Sequence, residues 1–379
     1  MPSRKSVCIC RKDIADKDRG GISFYYKGII NELVSYGWEV YVITQLPYTN
    51  PKVKVINVPE EDDYYKHSIN VYKILKDLQV NIIEASNYKF ELYEYLKQTK
   101  KVKVKPITIA RADPSGVTCL FGNEYIEGEQ YQTQHVDYNI ALSEFAKNDT
   151  QYHYNIKTKR VIYIGVDFDH LFGYTSVDSL NSGKYINNRK EIRVRNLKID
   201  KIAPKSKINI FWSGKPTYMK GYDYLEHLIN DSPENFNFIL NSTPVSRGIS
   251  WSKKPAGKHT FIWGLDRADQ ISLWKNCNVT LLPSRVEGFS LVSAESLLLG
   301  IPLIANQQCQ VVKEFPVEKE ILYFNPTKIK DFIQTVELGM HVKVDLDEKQ
   351  KWFFSSKRMA LETHHFYMEV LDARRKYGV

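Results

Sequence analysis

The stretch LLPSRVEGFSLVSAESLLLGIPLIAN, residues 281–306, decides the fold of this chain. Its apolar start continues a predicted strand over 279–282, and a helix is predicted from about 290 to 299. Gly300 ends that helix, and a second strand is predicted over 302–305. A strand, a loop, a helix and a strand in this order are typical of a parallel sheet that is covered by helices.

The loop before that helix has the features of an anion site. The start of a helix presents free backbone N–H groups and the positive end of the helix dipole. Gly288 lets the backbone come close to a ligand, so a diphosphate would fit here. Glu287 and Glu295 flank this position, and eight helical residues span about 12 Å, comparable to a nucleotide-sugar from ribose to hexose. Carboxylates accept strong hydrogen bonds from vicinal hydroxyls, although a solvated helix face would show the same spacing.

The rest of the chain shows the same alternation of strands and helices. Gly20-Gly21 precedes a helical pattern, and a second series of strands begins at residue 208, after a segment rich in Ser, Asn, Lys and Arg. A length of 379 residues suits two α/β domains. The predicted division is a Rossmann-like domain over 1–172, an interdomain connection over 173–207, a second Rossmann-like domain over 208–350 and C-terminal helices over 351–379, which cross back to the first domain.

The composition narrows the class of protein. A net charge of +9 suits an anionic partner such as a nucleotide or a membrane surface, but a solubilising lysine-rich surface explains it equally well. No nucleic-acid-binding motif accompanies the charge, so no nucleic acid is expected as a partner. The five cysteines lack disulfide-framework or zinc-site spacing. No membrane-spanning stretch or secretory signal is evident, so a cytoplasmic protein is expected, with peripheral contact at the inner face of the membrane left open.

Residues 281–306 resemble the E-x7-E signature of glycosyltransferase family 4, a retaining family with the GT-B fold. Further stretches resemble other motifs of that family in the expected order, and the resemblance covers about residues 5–370. They are the Gly20-Gly21 loop with WEVYVIT at 38–44, ALSE at 141–144, VIYIGVDFDHLF at 161–172, WSGKPTYMKG at 212–221 and FIWGL at 261–265. The resemblance implies two Rossmann-like domains whose parallel sheets face each other across an interdomain cleft, where the active site lies. The domain over 1–172 would bind the acceptor, and the domain over 208–350 would bind the nucleotide-sugar.

The resemblance also implies roles for individual residues. Glu295 would bind the ribose hydroxyls, and Glu287 would contact the transferred sugar. Lys220 would neutralise the diphosphate, and Lys215 stands where the family usually has Arg. The other candidates for donor binding lie in loops and at a helix start: Gly20, Gly21, Gly214, Gly264, Leu265, Gly288, Phe289, Ser290 and Leu291.

The chemistry of the leaving group supports the lysines independently of the family. Negative charge develops on the diphosphate as the glycosidic bond breaks, and Lys220, Lys215 and a helix dipole would stabilise it without a metal. The alternative for Lys220 is a solvated lysine in a turn. No D-x-D motif near a strand end suggests Mg²⁺ ligands, so no metal cofactor is expected.

The family often carries a His after the strand over 107–110. Arg111 and Asp113 occupy that region here, so Arg111 is a candidate for contact with sugar or acceptor, or equally for a loop salt bridge.

The predicted function is retaining transfer of a sugar from a nucleotide-diphosphate sugar, with UDP favoured over GDP. The acceptor would be a glycan, a glycolipid or another hydroxyl compound, in cell-surface polysaccharide or glycoconjugate synthesis. The alternatives are a sugar-nucleotide epimerase of similar fold and an inactive nucleotide-sugar-binding partner subunit.

The first domain contains a lysine-rich segment, with Lys97, Lys100, Lys101, Lys103 and Lys105. A strand over its second part would put Lys101, Lys103 and Lys105 on one face. That face could rest on anionic lipid, or it could protect an edge strand from aggregation.

Overall fold

The computed structural model describes residues 5–16, 20–102, 104–187, 190–242 and 258–377. The chain divides into two compact units, of which the first comprises Met1–Asp167 with Phe354–Val379 and the second Phe168–Phe353. Each unit carries a sheet of neighbouring parallel strands joined by helices. The predicted fold class, two Rossmann-like α/β domains with parallel sheets, is confirmed.

The sheet of the first unit is parallel throughout, with the strand order β3-β2-β1-β4-β5-β6-β7 among the described residues. The strands are β1 (Ser6–Cys10), β2 (Glu39–Thr44), β3 (Lys54–Asn57), β4 (Ile82–Ser86), β5 (Ile107–Ala112), β6 (Tyr138–Ala141) and β7 (Thr158–Val161). The helices between them are α1 (Gly21–Ser35), α2 (Tyr64–Leu75), α3 (Tyr93–Gln98), α4 (Asn123–His135) and α5 (Glu144–Tyr154).

The second unit contains a mixed sheet with the order β10-β9-β14-β13-β12-β15-β16-β17 in its described part. Its strands are β8 (Ser179–Leu180), β9 (Lys184–Asn187), β10 (Lys190–Arg193), β11 (Leu197–Lys198), β12 (Ile208–Ser213), β13 (Phe236–Asn241), β14 (His259–Trp263), β15 (Val279–Leu282), β16 (Leu303–Asn306) and β17 (Ile321–Phe324). Its helices are α6 (Phe168–Phe172), α7 (Tyr222–Asp231), α8 (Arg267–Lys275), α9 (Leu291–Leu298), α10 (Ile329–Gly339) and α11 (Glu348–Phe353), with 3₁₀ turns at Ile199–Lys201 and Gln310–Glu314.

Alternation along β12 shows why the second sheet is covered on both faces. Ile210 and Trp212 belong to one hydrophobic cluster, and Phe211 between them belongs to another. Successive side chains of a strand point to opposite faces, so the two clusters lie on opposite sides of the sheet. A strand that is apolar on both faces is expected where helices cover a parallel sheet from both sides.

The C-terminal segment does not form one block. It contains α11 in the second unit and the long helix α12 (Ser356–Tyr377) in the first, where α12 packs against α1. Gly165 lies so close to the start of this segment that a Cβ would stand 2.2 Å from the carbonyl oxygen of Ser355. In the described part of the chain, every helix is too short or too polar to span a bilayer.

The segment 173–207 differs from the predicted interdomain connection. It lies within the second unit and supplies β8 to β11, of which β9 pairs antiparallel with β14. Its few apolar residues are spaced so that they reach the core, and Leu180, Val194 and Ile199 are buried there. The polar composition concealed this packing, because the apolar positions are isolated along the sequence.

The predicted strand over Lys101, Lys103 and Lys105 is wrong for the residues that the structure describes. The segment after α3 forms a turn in which the Val102 N–H donates to the Thr99 carbonyl at 3.0 Å, and β5 begins only at Ile107. Lys103 itself lies outside the described residues. The prediction of one charged face depended on that strand. Without it, alternation does not place these lysines on a common face.

Candidate functional site

The second sheet has a point where its strand order reverses, between β12 and β15. These strands run parallel side by side, while the chain continues from β12 to β13 on one side and from β15 to β16 on the other. Ligands of open α/β sheets bind in the crevice outside the carboxyl ends of the strands at such a point. The loops that follow Ser213 and Leu282 therefore form the candidate site, and they carry Lys215, Lys220 and Glu287.

The two loops approach each other closely. Gly221 has a φ of +66°, and a Cβ there would stand 2.1 Å from the carbonyl oxygen of Pro283. Only glycine fits both the backbone angle and this contact. Arg285 makes a second set of contacts between the loops. Its two terminal nitrogens donate to the Asp223 carboxylate at 2.7 Å each, and its guanidinium carbon lies 3.7 Å from the ring centroid of Tyr218. The two loops are thus in contact near Gly221 and again near Arg285.

Lys220 and Glu287 are brought into direct contact by these loops. The Lys220 Nζ donates to Glu287 Oε2 at 2.5 Å, and the Ser284 hydroxyl donates to Oε1 at 2.7 Å. The Glu287 side chain is 8% exposed, whereas that of Lys220 is 34% exposed. The carboxylate is therefore held from two sides, and part of the Lys220 side chain stays accessible to solvent.

The other predicted cation, Lys215, is placed differently. It is exposed and follows Gly214 directly after the end of β12. A Cβ on Gly214 would stand 3.3 Å from the Trp212 ring, which is a tight contact. Lys215 therefore lies on the same loop as Lys220 but lacks its packing.

The start of α9 provides the backbone groups of the site. Ser290 caps this helix in the left-handed region, with a φ of +71°, which is uncommon for a residue other than glycine. Such strain is often found at binding sites. Phe289 is buried and its ring lies 5.0 Å from that of Phe315, so its side chain packs in the core and does not face a ligand. Gly288 and Leu291 flank this turn, and the Ser290 side chain does not cap the helix. The first N–H groups of a helix have no partner within the helix itself.

Glu295 lies on α9 and is 7% exposed. Its Oε1 accepts a hydrogen bond from the Nη2 of Arg267, the first residue of α8. A second guanidinium nitrogen, Nη1, donates to Gln270 at 3.1 Å. Sequence reasoning did not find Arg267. Its only signal is its position at the first helical residue after FIWGL and Asp266.

The loop with the candidates Gly264 and Leu265 is held by the segment 181–183. The Ser182 hydroxyl donates to Asp269 at 2.6 Å and accepts from the Asp266 N–H at 2.7 Å. Gly183 packs so closely that a Cβ would stand 2.6 Å from the carbonyl oxygen of Trp263. Part of the segment 173–207 thus supports the loop that leads into Arg267.

The candidates of the first unit fall into two groups. Gly20 has a φ of +135° and caps α1, which begins at Gly21. Both glycines therefore stand at a helix start, although the preceding residues 17–19 lie outside the described part of the chain.

Of the two alternatives for Arg111, substrate contact and a loop salt bridge, the structure shows a salt bridge, although not in a loop. Arg111 lies in strand β5 rather than in a loop, and its side chain is 0% exposed. Its Nε donates to Glu84 at 2.7 Å and its Nη2 donates to Thr363 of α12 at 3.1 Å, while the Tyr367 hydroxyl donates to the same Glu84 at 2.7 Å. A side chain without exposed surface cannot contact a substrate. Arg111 is a structural residue that ties α12 to the first sheet.

Within the described residues, no three His, Cys, Asp or Glu side chains are grouped so that they could hold a metal ion. Among the described residues, Lys215, Lys220 and Arg285 are cations on the two loops of the candidate site. Arg267 adds a cation at the start of α8.

Residues 195–353 match the family model described as glycosyl transferases group 1. Over 383 aligned residues, 93% of this chain and 95% of the relative, the chain is 26% identical to an uncharacterized glycosyltransferase of Methanocaldococcus jannaschii. It is also 26% identical, over 67% of its own length, to an uncharacterized 41.2 kDa protein in the cps region of Klebsiella pneumoniae, and it spans 62% of that relative's length. These matches support an enzyme that transfers a glycosyl group.

Two solved structures are similar over nearly the whole chain. Sucrose-phosphate synthase from Thermosynechococcus elongatus superposes with a TM-score of 0.72 at 14% identity, covering 98% of this chain and 100% of that one. Anabaena HepE in complex with UDP-glucose superposes with a TM-score of 0.65 at 11% identity, covering 97% and 99%. At this identity the likeness shows the fold, which is that of the GT-B glycosyltransferases.

Proposed function

We propose that this chain is a retaining glycosyltransferase that moves a sugar from a UDP-sugar to a hydroxyl group of a glycan or lipid-linked acceptor, without a metal ion. The observation that carries the proposal is the Lys220–Glu287 contact of 2.5 Å at the reversal point of the second sheet. It joins a cation suited to phosphate and a carboxylate suited to sugar hydroxyls beside the start of α9.

The charges of the site fit the departure of a nucleoside diphosphate. As the bond between sugar and diphosphate breaks, negative charge grows on the diphosphate oxygens. The partly exposed Lys220, the N–H groups at the start of α9 and the exposed Lys215 stabilise that oxygen charge. Glu287 then lies on the sugar side of Lys220, where its carboxylate accepts hydrogen bonds from sugar hydroxyls. In the retaining reaction, the acceptor hydroxyl attacks the anomeric carbon from the face that the diphosphate leaves, and its proton passes to the departing diphosphate oxygen.

The donor side of the proposal rests on Glu295 and the loop before α8. Glu295 is held by Arg267 and binds the ribose hydroxyls, while the backbone at Gly264 and Leu265 reads the base. Gly264 has a φ of +66°, which turns the chain out of the strand there. UDP is preferred over GDP in this proposal, with support from the similarly folded HepE, whose structure contains UDP-glucose.

A role in cell-surface polysaccharide or glycoconjugate synthesis is part of the proposal. Its support is the relative in the cps region of Klebsiella pneumoniae. A cytoplasmic enzyme with peripheral membrane contact would suit a lipid-linked acceptor.

The position of the lysine-rich segment limits how the membrane could take part. Lys105 and Arg374 line a groove of about 480 Å³ together with Val80 and Asn81, just before β4 and β5 begin. This is the amino-terminal edge of the first sheet, whereas ligands of such sheets bind at the carboxyl-terminal edge. A membrane that docks at these lysines would therefore hold the enzyme without lying at the substrate edge. Co-sedimentation with anionic vesicles at low salt, compared between wild type and a variant in which Lys97, Lys100, Lys101 and Lys105 become Gln, tests such docking; an equal pellet from both proteins would exclude these lysines as a docking surface.

A donor and acceptor screen tests the function. The purified chain is incubated with UDP-glucose, UDP-galactose, UDP-N-acetylglucosamine or GDP-mannose, with and without a panel of methyl glycosides, and the products are analysed by NMR. The expected result is transfer with retained anomeric configuration from one UDP-sugar. Free sugar and UDP formed without acceptor would favour the hydrolysing epimerase. UDP binding without any turnover would favour the inactive subunit.

A further inference from the structure

The first sheet has its own reversal point, between β1 and β4. The chain leaves β1 toward β2 on one side, and it leaves β4 toward β5 on the other. The carboxyl ends of these two neighbouring strands therefore form a crevice of the kind that binds ligands in α/β sheets. The residues that follow β1 there include Arg11 and Asp13, and those that follow β4 include Tyr88 and Lys89.

These residues form a charged cluster with a fixed geometry. Arg11 is 1% exposed and grips the Asp13 carboxylate with two parallel bonds, Nε to Oδ1 at 2.6 Å and Nη2 to Oδ2 at 2.7 Å. Its third nitrogen, Nη1, donates to the Tyr88 carbonyl at 3.1 Å. The Lys89 Nζ lies 3.0 Å from Asp13 Oδ2. A bidentate pair of this type fixes orientation as well as position.

The loop that carries Lys89 is strained. Lys89 and Phe90 have φ angles of +74° and +35°, although neither is glycine. The Lys89 N–H donates to the Tyr125 hydroxyl at 2.8 Å, and the Phe90 N–H donates to the Asn87 carbonyl at 3.0 Å. Two consecutive residues in this region cost stability, and such strain persists where the surroundings hold it, often at a ligand site. The effect here is to place the Lys89 ammonium against Asp13.

The exposed part of the cluster is the part that suits a sugar. The Asp13 side chain is 22% exposed and that of Lys89 is 13% exposed, while Arg11 is sealed behind them. The Tyr88 ring lies beside both cations, 5.3 Å from Arg11 Cζ and 5.3 Å from Lys89 Nζ. A carboxylate that accepts, an ammonium that donates and an aromatic ring alongside match the hydroxyl groups and C–H face of a sugar ring.

We propose that Asp13 and Lys89, positioned by Arg11, bind a pair of hydroxyl groups on the acceptor sugar. This acceptor subsite rests on the proposed glycosyl transfer and adds the residues of the first unit that recognise the acceptor. Asp13 binds rather than removes a proton. Burial acts to raise the pKa of the Asp13 carboxyl, but Arg11 and Lys89 outweigh it and hold that pKa well below its usual range.

The experiment measures binding of methyl glycosides of glucose, galactose and mannose by saturation-transfer NMR in the presence of UDP. Asp13→Asn and Lys89→Met are compared with wild type, and Lys89→Met leaves the Arg11–Asp13 pair intact in case the first variant folds poorly. Asp16→Asn is the matched control, since Asp16 lies on the same loop and is exposed, with its Oδ1 accepting from the Thr49 N–H at 2.7 Å. UDP affinity, measured by calorimetry, reports the second unit separately.

The expected result is that wild type and Asp16→Asn bind at least one glycoside equally, while both cluster variants bind it at least about tenfold more weakly. UDP affinity should be the same in all four proteins. The subsite is overturned if Lys89→Met and Asp13→Asn bind the glycoside as tightly as wild type does. It is also overturned if wild type binds UDP but no glycoside. Failure of wild type to bind UDP, with glycoside binding still dependent on Asp13, would instead overturn the proposed donor and leave the subsite standing.

Discussion

The Nζ of Lys220 lies 2.5 Å from Oε2 of Glu287, across the point where β12 and β15 run side by side. Sequence reasoning gave the two residues separate roles, one at the diphosphate and one at the sugar. Their contact means that one substitution alters both sites, because a buried carboxylate loses a charged partner when the lysine is removed. The atoms that would meet the sugar and the phosphate are therefore adjacent.

Replacing Lys220 should impair the chemical step strongly. Lys220→Ala should lower kcat by roughly a hundredfold or more, which is the scale for losing one preorganised charge at a transition state. Lys220→Arg should recover part of the rate, since the positive charge is kept. Lys319→Ala, at an exposed lysine of the same unit, is the control and should leave kcat unchanged. A near-normal kcat in Lys220→Ala would show that the Glu287 contact is only structural.

Much of the fold was accessible from sequence because the relevant signals are local. Apolar periodicity and glycine positions predicted α9 to within two residues of its observed ends, and the strand over 279–282 matches β15. The candidate loops could also be predicted, because strand ends and Gly-rich turns mark where parallel sheets bind ligands. Their gathering at one edge then follows from the strand order.

The misses involve contacts between residues far apart in the chain. Arg267 meets Glu295 across 28 residues, and Arg111 meets Glu84 inside the sheet, where no periodic pattern reveals a partner. The cluster of Arg11, Asp13 and Lys89 depends on β1 and β4 being neighbours. Strand order is a property of the whole domain, so pairs of this kind appear only once the topology is known.

Glu295 and Arg267 should act together in donor binding. Glu295→Ala should weaken UDP binding by about 1.5–3 kcal/mol, because buried ribose hydroxyls would lose a charged acceptor. Arg267→Ala should also weaken it, since Glu295 would lose the partner that orients it. Residues in contact are not additive, so the double variant should lose less than the sum of the two losses.

Calorimetry with UDP on wild type, both single variants and the double variant measures this coupling. Lys275→Ala, at an exposed position on the last turn of α8, serves as the control on the same helix. Unchanged UDP affinity in Glu295→Ala would remove Glu295 from the donor site. Strictly additive losses would mean that Arg267 acts independently of it.

Gly221 should be more sensitive to substitution than its backbone angle alone predicts. Gly221→Ala adds a Cβ 2.1 Å from the Pro283 carbonyl oxygen, so the two loops of the candidate site must separate. Gly300 is the matched control, because its φ is +79° and a Cβ there has nothing within 4 Å. Gly300→Ala should cost about 1–2 kcal/mol for the left-handed backbone, and Gly221→Ala should cost more and also lower kcat. Urea unfolding and a rate assay measure both, and equal costs with equal rates would contradict the close approach of the loops.

Chelation should leave the enzyme active. The proposed mechanism uses Lys220, Lys215 and the start of α9 to stabilise the diphosphate, so EDTA should not change kcat. The measurement compares turnover before and after dialysis against EDTA, followed by addition of Mg²⁺ or Mn²⁺. Complete loss of activity that either ion restores would mean that the phosphate site has been assigned the wrong chemistry.

Glu91 should make the stability of the first unit depend on pH. Burial raises the pKa of the Glu91 carboxyl from 4.5 to about 7, although the nearby Arg11 opposes the change. Between these two pH values the folded chain keeps a proton that the unfolded chain has lost. The free energy of unfolding therefore falls as pH rises through this window, by at most about 1.4 kcal/mol per pH unit, and the contribution of Glu91 to it is constant above pH 7.

The variant Glu91→Gln cannot ionise, so it should gain stability relative to wild type between pH 5 and pH 8, by up to about 3 kcal/mol. Urea unfolding at both pH values tests this, with Glu124→Gln as the control because Glu124 is exposed on α4. A difference between Glu91→Gln and wild type that is the same at pH 5 and pH 8 would show that Glu91 does not carry a raised pKa in the folded protein.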